Sequence, residues 1–239
     1  TVLTDIADYP PHFWIERQVQ YLICGSARAV EQARQLGHDE ACIFRTSGMI
    51  LHPRFYEPVE IDRAAERRKL GLDPEAPTGL VLFGGQGSNQ MREIARRLDQ
   101  TQLIAICGQN GRLAEKLRSL RRAAPMFVEG FTKEVPYYMK LADFFIGKPG
   151  PGSISEALHM GLPVIVERNA WTLPQERYNA EWIVENQVGI ALKNFRRVDR
   201  AVAELLRPEN LERYRAGAAG QHNRAVFEVP DILERIVES

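Results

Sequence analysis

The sequence predicts an α/β fold, a doubly wound parallel sheet with helices on both faces, and three observations carry that prediction. From about residue 78 short β-branched apolar runs alternate with amphipathic charged segments, the pattern of successive βαβ units. Several of these runs are apolar without interruption, as strands buried on both faces are. The 239 residues, 44% hydrophobic and 26% charged, hold enough apolar material for a sizeable core and too much for a disordered chain.

Taken in order, residues 21–25 read as a strand, Ser26 as an N-cap, 27–36 as a helix ended by Gly37, and 41–46 as another strand. The stretch 47–58, with Gly48, Pro53 and Pro58, reads as a linker, and 63–70 as a short helix stopped by Gly71. Strands follow at 79–83, 103–107, 126–130, 143–147, 163–167 and 189–192, with helices between them. Past Arg197 the pattern is helical and is broken by Pro208 and Pro230. Three segments result. Residues 1–57 are the tail of a first α/β domain with its linker, 58–222 a complete Rossmann-like domain, and 223–239 a C-terminal helical segment. Fifty-seven residues are too few for a doubly wound domain alone. With Thr1 rather than Met at the start, in a strand-like run 1–4, a preceding region is expected.

Composition excludes several classes. The 31 Lys+Arg and 31 Asp+Glu cancel, so no global field draws the chain to nucleic acid. Cys24, Cys42 and Cys107 lie in apolar runs without metal-ligand spacing, which suits buried thiols in a reducing compartment rather than a disulfide framework or a zinc site. No apolar stretch approaches the roughly 20 residues that span a bilayer, and Asp5, Asp8 and His12 interrupt the N-terminus before a signal-peptide core can form. A basic cluster on the predicted helix 111–122, with Arg112, Lys116, Arg118, Arg121 and Arg122 against Glu115, is either a solvated face or a contact for anionic lipid head groups.

In such sheets ligands bind at the carboxyl ends of the strands, and three loops fall there. Gly84, Gly85, Gly87 and Ser88 lead from the first strand of the complete domain into a helix, and Gly108 follows the second strand. Glycines at a helix N-terminus suit a phosphate or sugar oxygen, or a tight turn. The full G-x-G-x-x-G spacing is absent, which weakens a nicotinamide dinucleotide. In the second loop Pro149, Gly150, Pro151, Gly152, Ser153 and Ile154 leave backbone N–H groups uncovered at the positive end of a helix, which suits a diphosphate. Ser153 and Glu156 have the spacing of a capping box, so Glu156 either bonds the Ser153 N–H or binds the two hydroxyls of a ribose. In the third loop Gln175 and Asn179 share a helix face with Glu176 beside them, amides and a carboxylate able to read the hydroxyls of a hexose or simply to cap and solvate a helix.

The run Val128-Glu129-Gly130-Phe131-Thr132, then Ala142-Asp143, Gly147 to Ala157, Gly161-Leu162-Pro163 and Gln175-Glu176-Arg177-Tyr178-Asn179 resembles the donor domain of the GT-B glycosyltransferases. Within that fold it is most similar to monogalactosyldiacylglycerol synthases and their bacterial glucosyl relatives, and more distantly to the N-acetylglucosaminyltransferase that completes the lipid precursor of peptidoglycan. The resemblance implies that the backbone around Phe131 and Thr132 holds uracil, that Glu156 binds ribose, and that Gly152 to Ile154 cradle the diphosphate. It also implies that Gln175, Glu176 and Asn179 face the sugar. The Gln-Glu pair favours a plain hexose over N-acetylglucosamine. Thr4-Asp5 and the run 10–14 are similar to a late N-domain segment of the lipid synthases.

The implied activity is inverting, metal-independent transfer of galactose or glucose from a UDP-sugar to a lipid such as diacylglycerol. The UDP-sugar is the donor substrate, with no cofactor. The general base lies in the part of the N-domain that precedes Thr1, so no catalytic residue is assigned here. Lipid acceptance implies a cytoplasmic protein or one peripheral on the inner face of a membrane, with no nucleic-acid partner; a homo-oligomer is compatible with it. A UDP-N-acetylglucosamine 2-epimerase shares the fold but needs its own acid/base carboxylates, and a UDP-sugar-binding subunit would need a separate acceptor-binding chain.

Overall fold

The structure, a computed structural model, describes residues 1–3, 15 and 18–238. Thr4, Asp5, Asp8, His12 and the run 10–14 lie outside the described residues. A small parallel sheet holds β1 (Val2–Leu3), β2 (Leu22–Cys24) and β3 (Ile43–Arg45) in that order. Helix α1 (Ala27–Gln35) crosses between β2 and β3, and Ser26 caps it as expected, its Oγ accepting the Ala29 N–H at 3.2 Å. The predicted strand 41–46 is shorter than expected. The side chain of Asp39 caps a 3-10 turn at Glu40–Cys42, and this local hydrogen bonding takes the first residues out of the sheet. That turn leaves Cys42 half-buried, unlike the buried Cys24 and Cys107.

The larger sheet is parallel throughout, in the order β6-β5-β4-β7-β8-β9. Its strands are β4 (Thr78–Leu82), β5 (Gln102–Ile106), β6 (Met126–Glu129), β7 (Phe144–Gly147), β8 (Val164–Glu167) and β9 (Gly189–Leu192). Side chains alternate across it. Leu80, Leu82 and Phe145 face one core with α5 (Val135–Leu141), α6 (Pro151–His159) and α7 (Pro174–Glu185), and Leu70, at the C-cap of α2 (Arg63–Lys69), packs against it. Val81, Phe144 and Ile146 face the other with α3 (Gln90–Arg97), α4 (Gly111–Arg118) and α8 (Val198–Leu205). Both faces are therefore covered, which is why the strands read as unbroken apolar runs.

Two C-terminal expectations change. Pro208 does start a new helix, α9 (Pro208–Ala219), but α10 (Ala225–Glu238) runs through Pro230. Packing of Val229, Ile232 and Ile236 against Ile23 and Phe44 of the small sheet holds that helix together. Its start is tied to the linker. Glu228 accepts the Ser47 N–H at 2.7 Å and the Ser47 hydroxyl at 3.0 Å, and Asn223 donates to the Met49 carbonyl at 2.7 Å.

The basic cluster also divides. Helix α4 ends at Arg118, whose guanidinium donates to the Val128 carbonyl at 3.0 Å. Arg122 turns inward and donates to the carbonyls of Ala95, Leu98 and Thr101 at 2.9, 2.6 and 2.6 Å, fastening the end of α3 and the turn into β5. Only Arg112, Lys116 and Arg121 of the predicted basic face point outward without such a task. No helix among the described residues is long and apolar enough to cross a membrane.

At the amino edge of the sheet Asp143 is a clamp. It accepts from Arg63 and Arg67 at 2.7 Å each, from Arg215 at 3.1 Å and from the Thr78 N–H at 2.9 Å, joining α2, α9, β4 and β7. Burial alone would raise its carboxyl, but the bonds from Arg63, Thr78 and Arg67 outweigh it and hold the group below the usual carboxylate range. Its stabilisation is thus complete above about pH 4 and is lost as pH falls through the depressed folded value. Asp143→Asn should cost about 3 kcal/mol at pH 7, because it leaves buried guanidinium charge uncompensated. Urea unfolding should show that gap between variant and parent narrowing steadily as pH is lowered below about 4.

Candidate functional site

The order of the large sheet reverses at β4 and β7, so the loops after these strands part and open a crevice at their carboxyl ends. The first loop is shaped by glycine. Gly108 has φ +58°, and a Cβ there would lie 2.2 Å from the Gly85 carbonyl oxygen, so the loops after β4 and β5 interlock at a contact only glycine permits. The same carbonyl accepts the Gln109 N–H at 2.8 Å. Gly84 and Gly87 also have positive φ, and the Gly87 N–H returns to the Gly84 carbonyl at 3.2 Å. The Ser88 hydroxyl accepts the Gln90 N–H at 3.2 Å, two residues before α3 begins. The glycines thus make a tight turn, and the surface they present is backbone.

The second loop places α6 with its N-terminus at the crevice. Gly150 is the N-cap in extended conformation, Pro151 occupies the first helical position, and no side chain caps the helix. Gly152 and Ser153 therefore offer N–H groups in the first turn without a side-chain acceptor. Ile154 differs, since its side chain is in the core and its N–H reaches the Gly150 carbonyl at 3.3 Å. The capping-box alternative for Glu156 is ruled out by this geometry. Ser153 stands three residues inside the N-cap, so Glu156 is a turn further along, on the same helix face as Gly152 and Ser153. Among the described residues no hydrogen-bond donor reaches its carboxylate. Burial pushes the group up to about 7, against a smaller opposing pull from the charge of Arg54.

Phe131 lies open at the end of β6, 61% exposed, while Thr132 accepts the Glu134 N–H at 2.9 Å through its hydroxyl. Glu129 fixes this corner, accepting from the Gly130 N–H at 2.7 Å and from the Tyr138 hydroxyl at 2.6 Å. Arg54, from the linker, donates to the Lys133 carbonyl at 2.7 Å and so bridges this corner to the neighbourhood of Glu156.

In the third region Glu176 is buried and accepts from Lys148 at 3.2 Å. Asn179 is not placed as expected. Its face of α7, with Ala180 and Ile183, turns onto the core; the side chain is wholly buried, and its amide donates to the Pro149 carbonyl at 2.9 Å. Asn179 therefore braces the loop after β7 from beneath. Gln175 sits in the first turn of α7, and its side chain lies outside the description. Beside Lys148 and Glu176 is a cleft of about 430 Å³ that also involves Gln90, Glu167, Asn169 and Trp171. Arg54, Lys148, Gln90 and Glu167 were not singled out by sequence; the one local signal was a lysine directly after a buried strand. No group of three His, Cys, Asp or Glu side chains converges as metal ligands do among the described residues.

Comparison with known proteins gives a consistent picture. Residues 80–236 match the glycosyltransferase family 28 C-terminal domain. The chain is 32% identical over 223 residues to monogalactosyldiacylglycerol synthase 1, chloroplastic, of Arabidopsis thaliana, covering 89% of this chain and 41% of that protein. It is 32% identical over 250 residues to the probable monogalactosyldiacylglycerol synthase 2, chloroplastic, of Oryza sativa subsp. japonica, covering 99% and 52%. The chain thus spans about half the length of the curated relatives it matches. Among solved structures, MurG of Acinetobacter baumannii superposes with a TM-score of 0.60 at 16% identity, over 90% of this chain and 67% of that one. The Anabaena protein HepE in complex with UDP-glucose gives 0.60 at 14% identity, over 96% and 71%. At these identities the two likenesses establish the GT-B fold.

The raised carboxyl of Glu156 has a measurable consequence. Its folded value, about 7, lies above the ordinary carboxylate value, so the folded state holds the proton more tightly and loses stability as pH rises between the two. Glu156→Gln should remove that loss, making the variant more stable than its parent by about 3 kcal/mol at pH 8, by about 1 kcal/mol at pH 5 and by almost nothing at pH 4. Urea midpoints at these pH values measure it.

Proposed function

The chain belongs to the glycosyltransferase family 28 C-terminal domain family, and from that premise we propose that it is the donor-binding half of an inverting hexosyltransferase. The proposed reaction moves galactose or glucose from a UDP-sugar to a lipid acceptor such as diacylglycerol. One observation carries the assignment of the donor. The uncapped N-terminus of α6, with free first-turn N–H groups at Gly152 and Ser153, stands one turn from a half-buried carboxylate that lacks a donor of its own. A nucleoside diphosphate answers both needs, phosphate oxygens at the N–H groups and ribose hydroxyls at Glu156.

The chemistry asked of these residues is limited and specific. When an acceptor hydroxyl attacks the anomeric carbon, the bond to the diphosphate breaks and negative charge grows on the leaving oxygens. N–H groups already aimed at that position, at the positive end of α6, stabilise the charge without having to reorganise. Phe131 offers an exposed ring at the corner assigned to uracil, and Arg54 stands between that corner and Glu156. Lys148 and Glu176 are assigned to the sugar side, Lys148 holding the Glu176 carboxylate in place. The names of the synthases that this chain resembles support a galactolipid product and a lipid acceptor.

Calorimetric titration of the chain should show binding of UDP, UDP-galactose and UDP-glucose, with UDP-N-acetylglucosamine weaker. Glu156→Ala should weaken UDP by about 10- to 100-fold, the loss of charge-assisted bonds to two hydroxyls. Parent affinity should also fall as pH drops below about 7, the value to which burial lifts Glu156, because the protonated carboxyl accepts poorly. UDP affinity unchanged by Glu156→Ala would remove the ribose assignment, and no binding of any uridine nucleotide would remove the function.

A further inference from the structure

The cleft beside the proposed diphosphate site has a charged wall that the site described so far does not use. Glu167 ends β8 and is only 8% exposed. Its two oxygens accept from different amides, Gln90 Nε2 at 2.9 Å and Asn169 Nδ2. Gln90 stands in the first turn of α3 and Asn169 in the loop after β8, so the carboxylate ties together the two sides of the crevice. Asn169 is itself held, its Oδ1 accepting the Trp171 N–H at 2.8 Å. Burial raises the Glu167 carboxyl, and the amide donors from Asn169 and Gln90 on its two oxygens work against that by favouring the ionised form. Opposite it Glu176 carries a second carboxylate, paired with Lys148.

Among the described residues around this cleft the charged side chains are Lys148, Glu167 and Glu176, a net of one negative charge. The space of about 430 Å³ is of the size that small ligands occupy. A sphere of that volume is roughly 9 Å across, so any group within it lies about one Debye length or less from every charge on the wall. Salt screening therefore reduces the field of Glu167 at a ligand there without abolishing it. The two amides and two carboxylates suit a neutral ring bearing several hydroxyls, able to donate to Glu167 or Glu176 and to accept from Gln90 or Lys148.

Resting on the UDP-sugar site proposed above, we infer that Glu167, oriented by Gln90 and Asn169, is a specificity wall that admits neutral hexoses and rejects nucleotide sugars whose ring carries a carboxylate, the uronates. The rejection is electrostatic, because hexose and uronate differ at one carbon and are close in size. It needs no contact between Glu167 and the ring.

The test compares the affinities of UDP, UDP-glucose and UDP-glucuronate for the 239-residue chain by calorimetry at moderate salt. The parent should bind UDP-glucose at least tenfold more tightly than UDP-glucuronate. Glu167→Gln should reduce that ratio at least threefold, and Lys148→Gln, at a half-exposed side chain, should increase it by removing the one cation. A structural role for Glu167 would weaken both sugars together and leave the ratio alone. If Glu167→Gln does not fold, the change in ratio on Lys148→Gln decides the matter. Parent affinities equal for the two sugars, or a ratio unmoved in the folded variants, overturn the charged wall while UDP binding persists. Loss of UDP binding in the parent overturns the nucleotide site itself.

Discussion

Placing β4 between β5 and β7 in a sheet of parallel strands forces the chain to leave β4 and β7 toward opposite faces, α3 to one core and α6 to the other. Right-handed crossovers allow no other arrangement. The two loops must therefore part, and the N-termini of two helices open onto the same gap. Each element of the candidate site is a consequence. The loop after β4 can lie against its neighbour because Gly108 carries no side chain where the Gly85 carbonyl approaches, and α6 points its free N–H groups into the gap because Pro151 begins the helix there without a side-chain cap.

Such a site is costly to the apo protein, and the cost is localised. The Glu156 carboxylate is desolvated without a donor, the Asn179 Oδ1 and the Ser155 hydroxyl are buried without partners among the described residues, and first-turn N–H groups are left open. All of these sit on or beside α6. At the other end of β7, Asp143 binds three guanidinium groups and the Thr78 N–H. Unsatisfied polarity around α6 is what is expected where one end of a fold is reserved for a ligand, although the amino-edge clamp also leaves one buried atom, Arg63 Nε, without a partner among the described residues. A nucleotide that met Glu156 and the α6 N–H groups would recover part of that cost on binding.

The fold was legible because its signals are local and repeated. Strands covered on both faces read as continuous apolar runs, and their limits fell within a residue or so of those seen, apart from the strand shortened by the Asp39 cap. The glycine and proline loops were legible for the same reason, since their composition restricts the backbone directly. The side chains that fill the crevice were less so. Gln90, Lys148 and Glu167 meet at one cleft from three distant segments, Arg54 approaches Glu156 from a fourth, and no spacing in the chain announces either meeting. Helical spacing puts Asn179 with Gln175 and so toward the sugar, but spacing fixes only which residues share a face; the packing of Ala180 and Ile183 turns this part of the helix onto the core. Arg122 was grouped with a basic helix face for a similar reason, although the helix ends before it.

The loop Lys148-Pro149-Gly150 shows what fixes the position of α6. From one side Lys148 reaches Glu176 at 3.2 Å, and a side chain at 150 would press on that bridge, its Cβ 3.1 Å from Lys148 Cε. From the other side the buried amide of Asn179 holds the Pro149 carbonyl at 2.9 Å. The ion pair adds little stability, because Lys148 is half exposed and a bridge to water-accessible lysine gains little over solvation. Its value is positional. Held above by a charge pair, beneath by an amide and at its end by the fixed φ of Pro151, the loop leaves α6 almost no freedom to tilt. N–H groups that cannot turn away are the ones able to stabilise charge that appears only while a bond is breaking.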